Sequence, residues 1–189
     1  MRKFSKFVMA TVIAAMTATS VFASSGFSLA AQYDSYLFLS PASTYYPAFG
    51  LGLESKLGDT AGFRLNVSYM VVPSMFGLAA DIGANLYFGI GGTKLSGLYL
   101  GLAIPVTFLS GGVAGVATMF GVGIGLRADI GYKLMFGSDG GLFIRPFVGA
   151  EASLVDFGAV TVLTFTLPYF TVGFNSFALK LGASVGYEF

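Results

Sequence analysis

Hydrophobic and polar residues alternate along the C-terminal segment 177–189. Apolar side chains occupy the odd positions from Phe177 to Phe189, whereas small or polar side chains, including Lys180 and Glu188, occupy the even positions. A period of two places each set on its own face of a β-strand. A helix would place Lys180 and Glu188 among the apolar side chains, so the pattern predicts a strand.

The same alternation predicts seven further strands. It is clearest on either side of the glycine-rich segment 137–141, where two alternating segments form a predicted hairpin. The eight predicted strands cover residues 28–39, 48–57, 62–71, 77–88, 96–108, 123–136, 142–154 and 177–189. Eight is an even number, as expected of a bacterial transmembrane barrel. The predicted fold is therefore all-β, a transmembrane antiparallel up-and-down β-barrel of about eight strands.

Charged residues of these segments share the face opposite the apolar residues. None falls on the predicted lipid-facing side, where Arg or Lys at the membrane midplane costs about 2–4 kcal/mol. The remaining charged residues after position 23, Asp59, Lys94, Asp139 and Asp156, fall in predicted turns or loops. We therefore predict a lumen charge network that contains Glu54, Lys56, Arg64, Asp81, Arg127, Asp129, Lys133, Arg145, Glu151, Lys180 and Glu188.

Composition indicates lipid as the solvent. Hydrophobic residues make up 55% of the chain and charged residues only 10%, against about 25% charged in a typical soluble domain. Such a chain has too few polar side chains to cover a surface in water. The uncharged segments 95–126 and 157–179 are long enough for transmembrane helices, but the period of two contradicts a helical reading.

Missing residue types exclude several chemistries. The chain has no Cys and no His, which excludes disulfides, thiol nucleophiles, histidine-dependent hydrolases and most zinc sites. Catalysis by carboxylates alone stays open, but no pair of acidic residues stands out at the predicted mouth. We expect no enzyme activity, no catalytic residue, no cofactor and no metal. A net charge of +1 gives no reason to expect nucleic-acid binding.

The N-terminus has the pattern of a secretory signal peptide. Arg2, Lys3 and Lys6 precede the apolar segment 7–22, and Ala23 ends an A-x-A-like site. The chain is therefore divided into a signal peptide, residues 1–23, and an outer-membrane β-barrel, residues 24–189. An uncleaved anchor is the alternative, and the shortness of the apolar segment disfavours it.

The last strand carries the signal that resembles a known class. Tyr187 and the terminal Phe189 are similar to the insertion signal of bacterial outer-membrane proteins. With eight strands and a signal peptide, the mature chain resembles the small barrels, namely the OmpA barrel domain, OmpX and OmpW. This resemblance implies a bacterial outer-membrane location and insertion by the barrel-assembly machinery. It also implies contact with outer-membrane lipids, including lipopolysaccharide-type lipids, and we expect a monomer.

The lumen charges allow three interpretations. Arg127 and Glu151 are predicted to lie opposite each other across the hairpin, near enough to pair. Lys133 and Arg145 need acidic partners such as Asp129, Asp81 or Glu188. Such charges could form a structural plug of salt bridges, an ion path or gate, or a carboxylate catalytic site.

Two apolar segments, 113–120 and 160–170, fall in predicted outer loops, where water would be expected. They could line an apolar funnel at the barrel mouth, belong to strands that extend further, or contact a partner. The predicted apolar mouth consists of Val116, Met119, Phe120, Leu163, Phe165, Leu167, Tyr169 and Phe170.

Two functions follow as expectations. The first is a passive conduit or binding mouth for small apolar molecules, as in OmpW-like barrels. The alternative is a structural or surface-interaction barrel, for adhesion or envelope integrity, with a plugged lumen and no transport.

Overall fold

The computed structural model describes residues 26–39, 44–88, 95–113, 116–137, 140–163 and 165–189. The predicted signal peptide lies outside the described residues. The described strands are β1 (Phe27–Phe38), β2 (Thr44–Lys56), β3 (Ala61–Val72), β4 (Met75–Tyr87), β5 (Gly97–Val113), β6 (Ala117–Phe136), β7 (Gly141–Val162) and β8 (Phe165–Glu188). Among these residues, no helix is long and apolar enough to cross a membrane.

The sheet closes on itself. Each strand pairs antiparallel with its neighbours in sequence, and β1 pairs with β8. At the seam, the Phe189 amide donates to the Phe27 carbonyl at 2.9 Å and the two rings stack 4.7 Å apart. Tyr187, the other residue of the predicted insertion signal, lies exposed on the outer face beside Phe189. Closure pairs the backbone N–H and C=O groups that an open sheet edge would leave unsatisfied in lipid. The predicted fold class, an antiparallel eight-stranded barrel, is confirmed.

Side-chain alternation separates an apolar outside from a polar inside. Leu102, Leu126 and Leu181 are between 57% and 58% exposed on the outer face. The intervening inward positions are almost fully buried, although many of them are charged. Of the charged residues in the described part of the chain, Asp59 alone is exposed, in the turn between β2 and β3. The outer surface therefore matches a hydrocarbon environment.

Leu102→Arg tests this assignment. Leu102 lies in the middle of β5, where a new guanidinium would face hydrocarbon, so we expect a loss of about 2–4 kcal/mol in the free energy of unfolding from the bilayer. The matched control is Leu57→Arg, because Leu57 lies just beyond the end of β2 and is also well exposed, at 65% against 58% for Leu102. Urea titration of both variants in lipid vesicles measures the difference. Equal losses would contradict a membrane belt centred on β5.

Strand lengths differ strongly around the barrel. Strands β1 to β4 contain 12 or 13 residues, whereas β6, β7 and β8 contain 20, 22 and 24. About 9–11 residues suffice to cross the hydrocarbon, so β6–β8 extend well beyond it at the end opposite the termini. One side of the barrel wall is therefore much taller than the other.

The tall wall corrects the prediction that the apolar segments 113–120 and 160–170 lie in outer loops. Most of the described residues of both segments lie in strands, and β7 ends at Val162 while β8 begins at Phe165. These segments are rich in Val, Thr and Phe, which favour strands, but contain almost no charge to mark where a strand leaves the membrane. Of the three interpretations of these segments, the structure supports the one in which they belong to strands that extend further.

A β-bulge interrupts the wall near the top of the short strands. Ser153 pairs with Ser176, but Val155 pairs with Val172, so Leu154 lies opposite the three residues 173–175. On its other side β7 pairs Ser153 with Gly125 and Val155 with Ile124, so Leu154 is a single extra residue that reverses which positions of β7 face inward. Asp156, predicted to lie in a loop, is consequently a half-buried residue of β7 that faces the lumen.

Candidate functional site: an apolar mouth above a closed lumen

Glu54 on β2 is the centre of the first charge cluster, at the end of the barrel that holds both termini. Its carboxylate accepts hydrogen bonds from Asn85 Nδ2 at 2.5 Å and Tyr87 Oη at 2.8 Å. It also accepts from Arg145 at 3.1 Å and Lys133 at 3.3 Å. Glu54 is only 3% exposed, so these donors replace water for a carboxylate in the barrel interior.

Lys133 and Arg145 thus share Glu54, which was not among the partners considered from sequence. Lys133 has a second acidic partner, Glu188, at 2.7 Å, as expected. Their ammonium and guanidinium groups also lie 4.6 Å and 5.9 Å from the centre of the Phe143 ring. The remaining predicted member of this region, Lys56, pairs at 3.5 Å with the exposed Asp59.

Two arginines and two aspartates form the second cluster, in the middle of the lumen. Arg64 donates to both oxygens of Asp129, at 2.9 and 2.5 Å. Arg127 donates to Asp81 at 2.7 Å and to Asp129 at 3.0 Å. The four side chains are nearly fully buried, and their formal charges cancel.

The predicted pairing of Arg127 with Glu151 is wrong. The two residues are cross-strand neighbours on β6 and β7, but the Arg127 guanidinium reaches Asp81 on β4 and Asp129 on its own strand. In a narrow eight-stranded barrel, a long side chain reaches the opposite wall. Hairpin neighbours therefore do not determine the ionic partners.

The third cluster lies nearest the mouth and consists of Lys180, Asp34 and Tyr36. Lys180 Nζ lies 3.0 Å from Asp34 Oδ2 and donates to Tyr36 Oη at 2.8 Å. Gln32 also donates to Asp34, at 2.8 Å. Lys180 and Asp34 are both 0% exposed, so this cluster is closed to water from above.

The three clusters close the lumen. A side chain that lined a water-filled pore would be accessible to water, yet Lys133, Tyr99 and Phe143 are at most 1% exposed. Eight strands leave an interior just wide enough for side chains to fill. Within the described residues the charges form a packed plug rather than an ion path.

Glu151 differs from the acidic residues of the plug. Its Oε2 is buried and has no hydrogen-bond partner among the described residues. The five buried cations pair instead with five other acids, in the pairs described above. Asp156 also has no basic partner within this part of the chain, and its carboxylate accepts one hydrogen bond, from Ser153 at 2.6 Å.

Both unpaired acids line a cavity of about 490 Å³ at the mouth, a volume within the usual range of small-molecule sites. The cavity is bounded by the tall strands and has largely apolar walls. It is lined by Phe38, Thr107, Leu109, Met119, Gly121, Val122, Gly123, Glu151, Ser153, Asp156, Tyr169, Thr171, Ser176 and Ala178.

Only part of the predicted apolar mouth lines this cavity. Met119 and Tyr169 do, and the Tyr169 hydroxyl packs over Gly121, where a Cβ would meet it at 2.4 Å. The other predicted residues are exposed and do not line the cavity: Val116, Phe120, Leu163, Phe165, Leu167 and Phe170. Three lining residues were not predicted from the sequence. Leu109 keeps the inward parity of β5 but lies beyond the end of the predicted strand 96–108, and Thr171 and Asp156 lie beyond the bulge, where the facing reverses.

A larger concavity, of about 690 Å³, lies on the outer wall between Phe63 and Phe177. Its floor contains alanines such as Ala84 and Ala128, whose small side chains leave a shallow groove in the apolar belt. Lipid chains fill such a surface without any specific chemistry. The mouth cavity, which combines apolar walls with unpaired carboxylates, is the candidate site.

No family model and no curated protein matches the sequence of this chain. Solved structures share its architecture. The crystal structure of the outer membrane protein OprG from Pseudomonas aeruginosa matches with a TM-score of 0.61 and 13% identity, over 87% of this chain and 96% of that one. Neisserial surface protein A matches with a TM-score of 0.58 and 17% identity, over 85% and 95%. The N-terminal β-barrel domain of Pseudomonas aeruginosa OprF matches with a TM-score of 0.55 and 13% identity, over 86% and 97%. The chain therefore has the fold of the small eight-stranded outer-membrane β-barrels.

Proposed function

We propose that this protein is an outer-membrane barrel that binds small, largely apolar molecules at its mouth. The observation that carries the proposal is the apolar cavity enclosed by β5–β8 above a closed lumen. In this proposal residues 1–23 direct export and are removed, the barrel-assembly machinery inserts the strands, and outer-membrane lipids surround the belt. The outer-membrane location is supported by the apolar outer surface and by the fold shared with OprG and Neisserial surface protein A.

A solute in this cavity has no open path along the barrel axis. The wall beside the cavity is weaker, because the β7–β8 pairing is interrupted at residues 173–175. Ser153 and Ser176 flank this interruption and also line the cavity. The geometry thus favours binding at the mouth with release sideways into the membrane over passage through the lumen.

Met119→Asn tests the proposed binding mouth. Met119 lines the cavity, so a polar carboxamide there should weaken binding of a neutral apolar fluorophore, N-phenyl-1-naphthylamine, by about tenfold, which corresponds to about 1.4 kcal/mol. The matched control is Thr118→Asn, because Thr118 is exposed on the adjacent outward position. Fluorescence titration of folded protein in lipid nanodiscs measures the change. Equal affinities for the two variants would contradict binding in this cavity.

A second candidate function is surface interaction by a plugged barrel. It is favoured by the outward side of the tall β7–β8 hairpin, where Phe170 and Val172 are 69% and 71% exposed, and by Phe174 at the bulge, which is 87% exposed. Large exposed apolar surfaces mark contacts with membranes or partners. The titration above separates the two functions, since a surface-interaction barrel has no reason to bind the fluorophore at its mouth.

A further inference from the structure

We propose that the mouth cavity selects amphipathic cations, that is, small molecules with one protonated amine and an apolar body. This inference rests on the proposed function and adds a charge preference to it. Glu151 would hold the ammonium group at the floor of the cavity. Asp156 would add a second negative charge on the wall, and Leu109, Met119 and Tyr169 would contact the apolar body.

The distribution of charge inside the barrel carries the argument. Below the mouth, every buried cation of the described residues has an acidic partner within 4 Å, and each of those acids has a cation. Glu151 and Asp156 lie outside this balance and both line the cavity. Arg127, directly opposite Glu151 on β6, and Lys180, on the adjacent strand β8, bond to other acids. The cavity therefore has an excess of negative charge.

The unpaired oxygen is the independent sign of a ligand. A buried polar atom without a partner destabilises the folded protein, and a buried charge without a counterion does so more strongly. Glu151 Oε2 is such an atom, at the floor of a cavity large enough for a ligand. An ammonium group placed there would supply both the missing hydrogen bond and the missing charge.

The cavity walls favour an organic cation over a metal ion. Calcium takes six to eight oxygen ligands, and magnesium keeps several waters in an octahedral shell. Glu151 and Asp156 are the two carboxylates of the cavity, and within the described residues no group of three or more His, Cys, Asp or Glu side chains could hold a metal ion. The walls formed by Leu109, Met119 and Val122 are apolar. An alkyl- or arylammonium instead needs a carboxylate at one end and apolar contacts along the rest, which is the arrangement present.

The experiment compares two probes of nearly equal shape, 2-phenylethylammonium and 2-phenylethanol. Both are titrated by calorimetry into the folded mature protein in phosphatidylcholine nanodiscs, with empty nanodiscs as the blank. We expect the wild type to bind the ammonium at least tenfold more tightly than the alcohol. Glu151→Gln should remove this preference, and Asp156→Asn should reduce it several-fold.

Asp59→Asn is the matched control, because Asp59 is an exposed acid at the opposite end of the barrel. It should keep the full preference for the ammonium. Glu151→Gln should also leave the unfolding midpoint unchanged or raise it, since it removes an unpaired buried charge; a folding defect would instead lower the midpoint and affect both probes.

The outcomes separate this inference from the proposed function. Equal affinity of the wild type for both probes, with N-phenyl-1-naphthylamine still bound, would overturn the charge preference and leave the apolar binding mouth standing. A preference that persists in Glu151→Gln would overturn it as well. If none of the three probes binds, the proposed function fails together with the inference.

Discussion

Replacing Glu54 with alanine should lower the free energy of unfolding by about 3–5 kcal/mol, the usual loss when one partner of a buried ion pair is removed. Glu54 is the shared acceptor of Lys133, Arg145, Asn85 and Tyr87, and it is only 3% exposed. Without it, Arg145 has no acidic partner among the described residues, whereas Lys133 keeps Glu188. Thermal unfolding in detergent micelles, followed by the gel mobility of folded and unfolded barrel, measures the loss.

Asp59→Ala provides the comparison for this measurement. Asp59 also pairs with a lysine, Lys56, but its side chain is 93% exposed, and such pairs contribute little. We expect no resolvable change in its unfolding midpoint. A Glu54→Ala loss as small as that of Asp59→Ala would mean that water reaches the cluster, and the lumen would then not be closed.

The strands and the inward facing of the charges could be predicted from the sequence because both depend on local alternation. Arg64, Asp81 and Asp129 were assigned to the lumen by parity alone, and their burial agrees with that facing. Their partners could not be predicted in the same way. Arg64 on β3 meets Asp129 on β6, a contact that depends on closure and stagger of the whole barrel rather than on any single hairpin.

The mouth was harder to predict because its position depends on one irregularity. Leu154 and Val155 are adjacent apolar residues before Asp156, and this break in the alternation is the only local sign of the bulge. Without the bulge, Asp156 would face lipid at that register. Because Asp156 is predicted to lie in a loop, this conflict does not arise in the sequence. Neither the tall wall nor Asp156 as the second acid of the cavity is therefore predicted.

The wild-type barrel should be silent in a planar lipid bilayer, with no discrete openings above the bare membrane. Three layers of paired side chains fill its lumen, centred on Glu54, on Arg127 with Asp81, and on Lys180 with Asp34. Opening a path would require several buried salt bridges to separate at once, each at a cost of several kcal/mol. Conductance recorded after insertion of protein that shows heat-modifiable gel mobility measures this directly.

Discrete openings would contradict the closed lumen, above all if they change when Arg127 is replaced by glutamine. If the bilayer shows no conductance and the fluorophore still binds at the mouth, then the ligand reaches the cavity without an aqueous path to the other side of the barrel. The interrupted β7–β8 pairing at residues 173–175 lies beside the cavity, so the bound molecule would leave through the wall into the surrounding lipid, where an apolar body is most soluble.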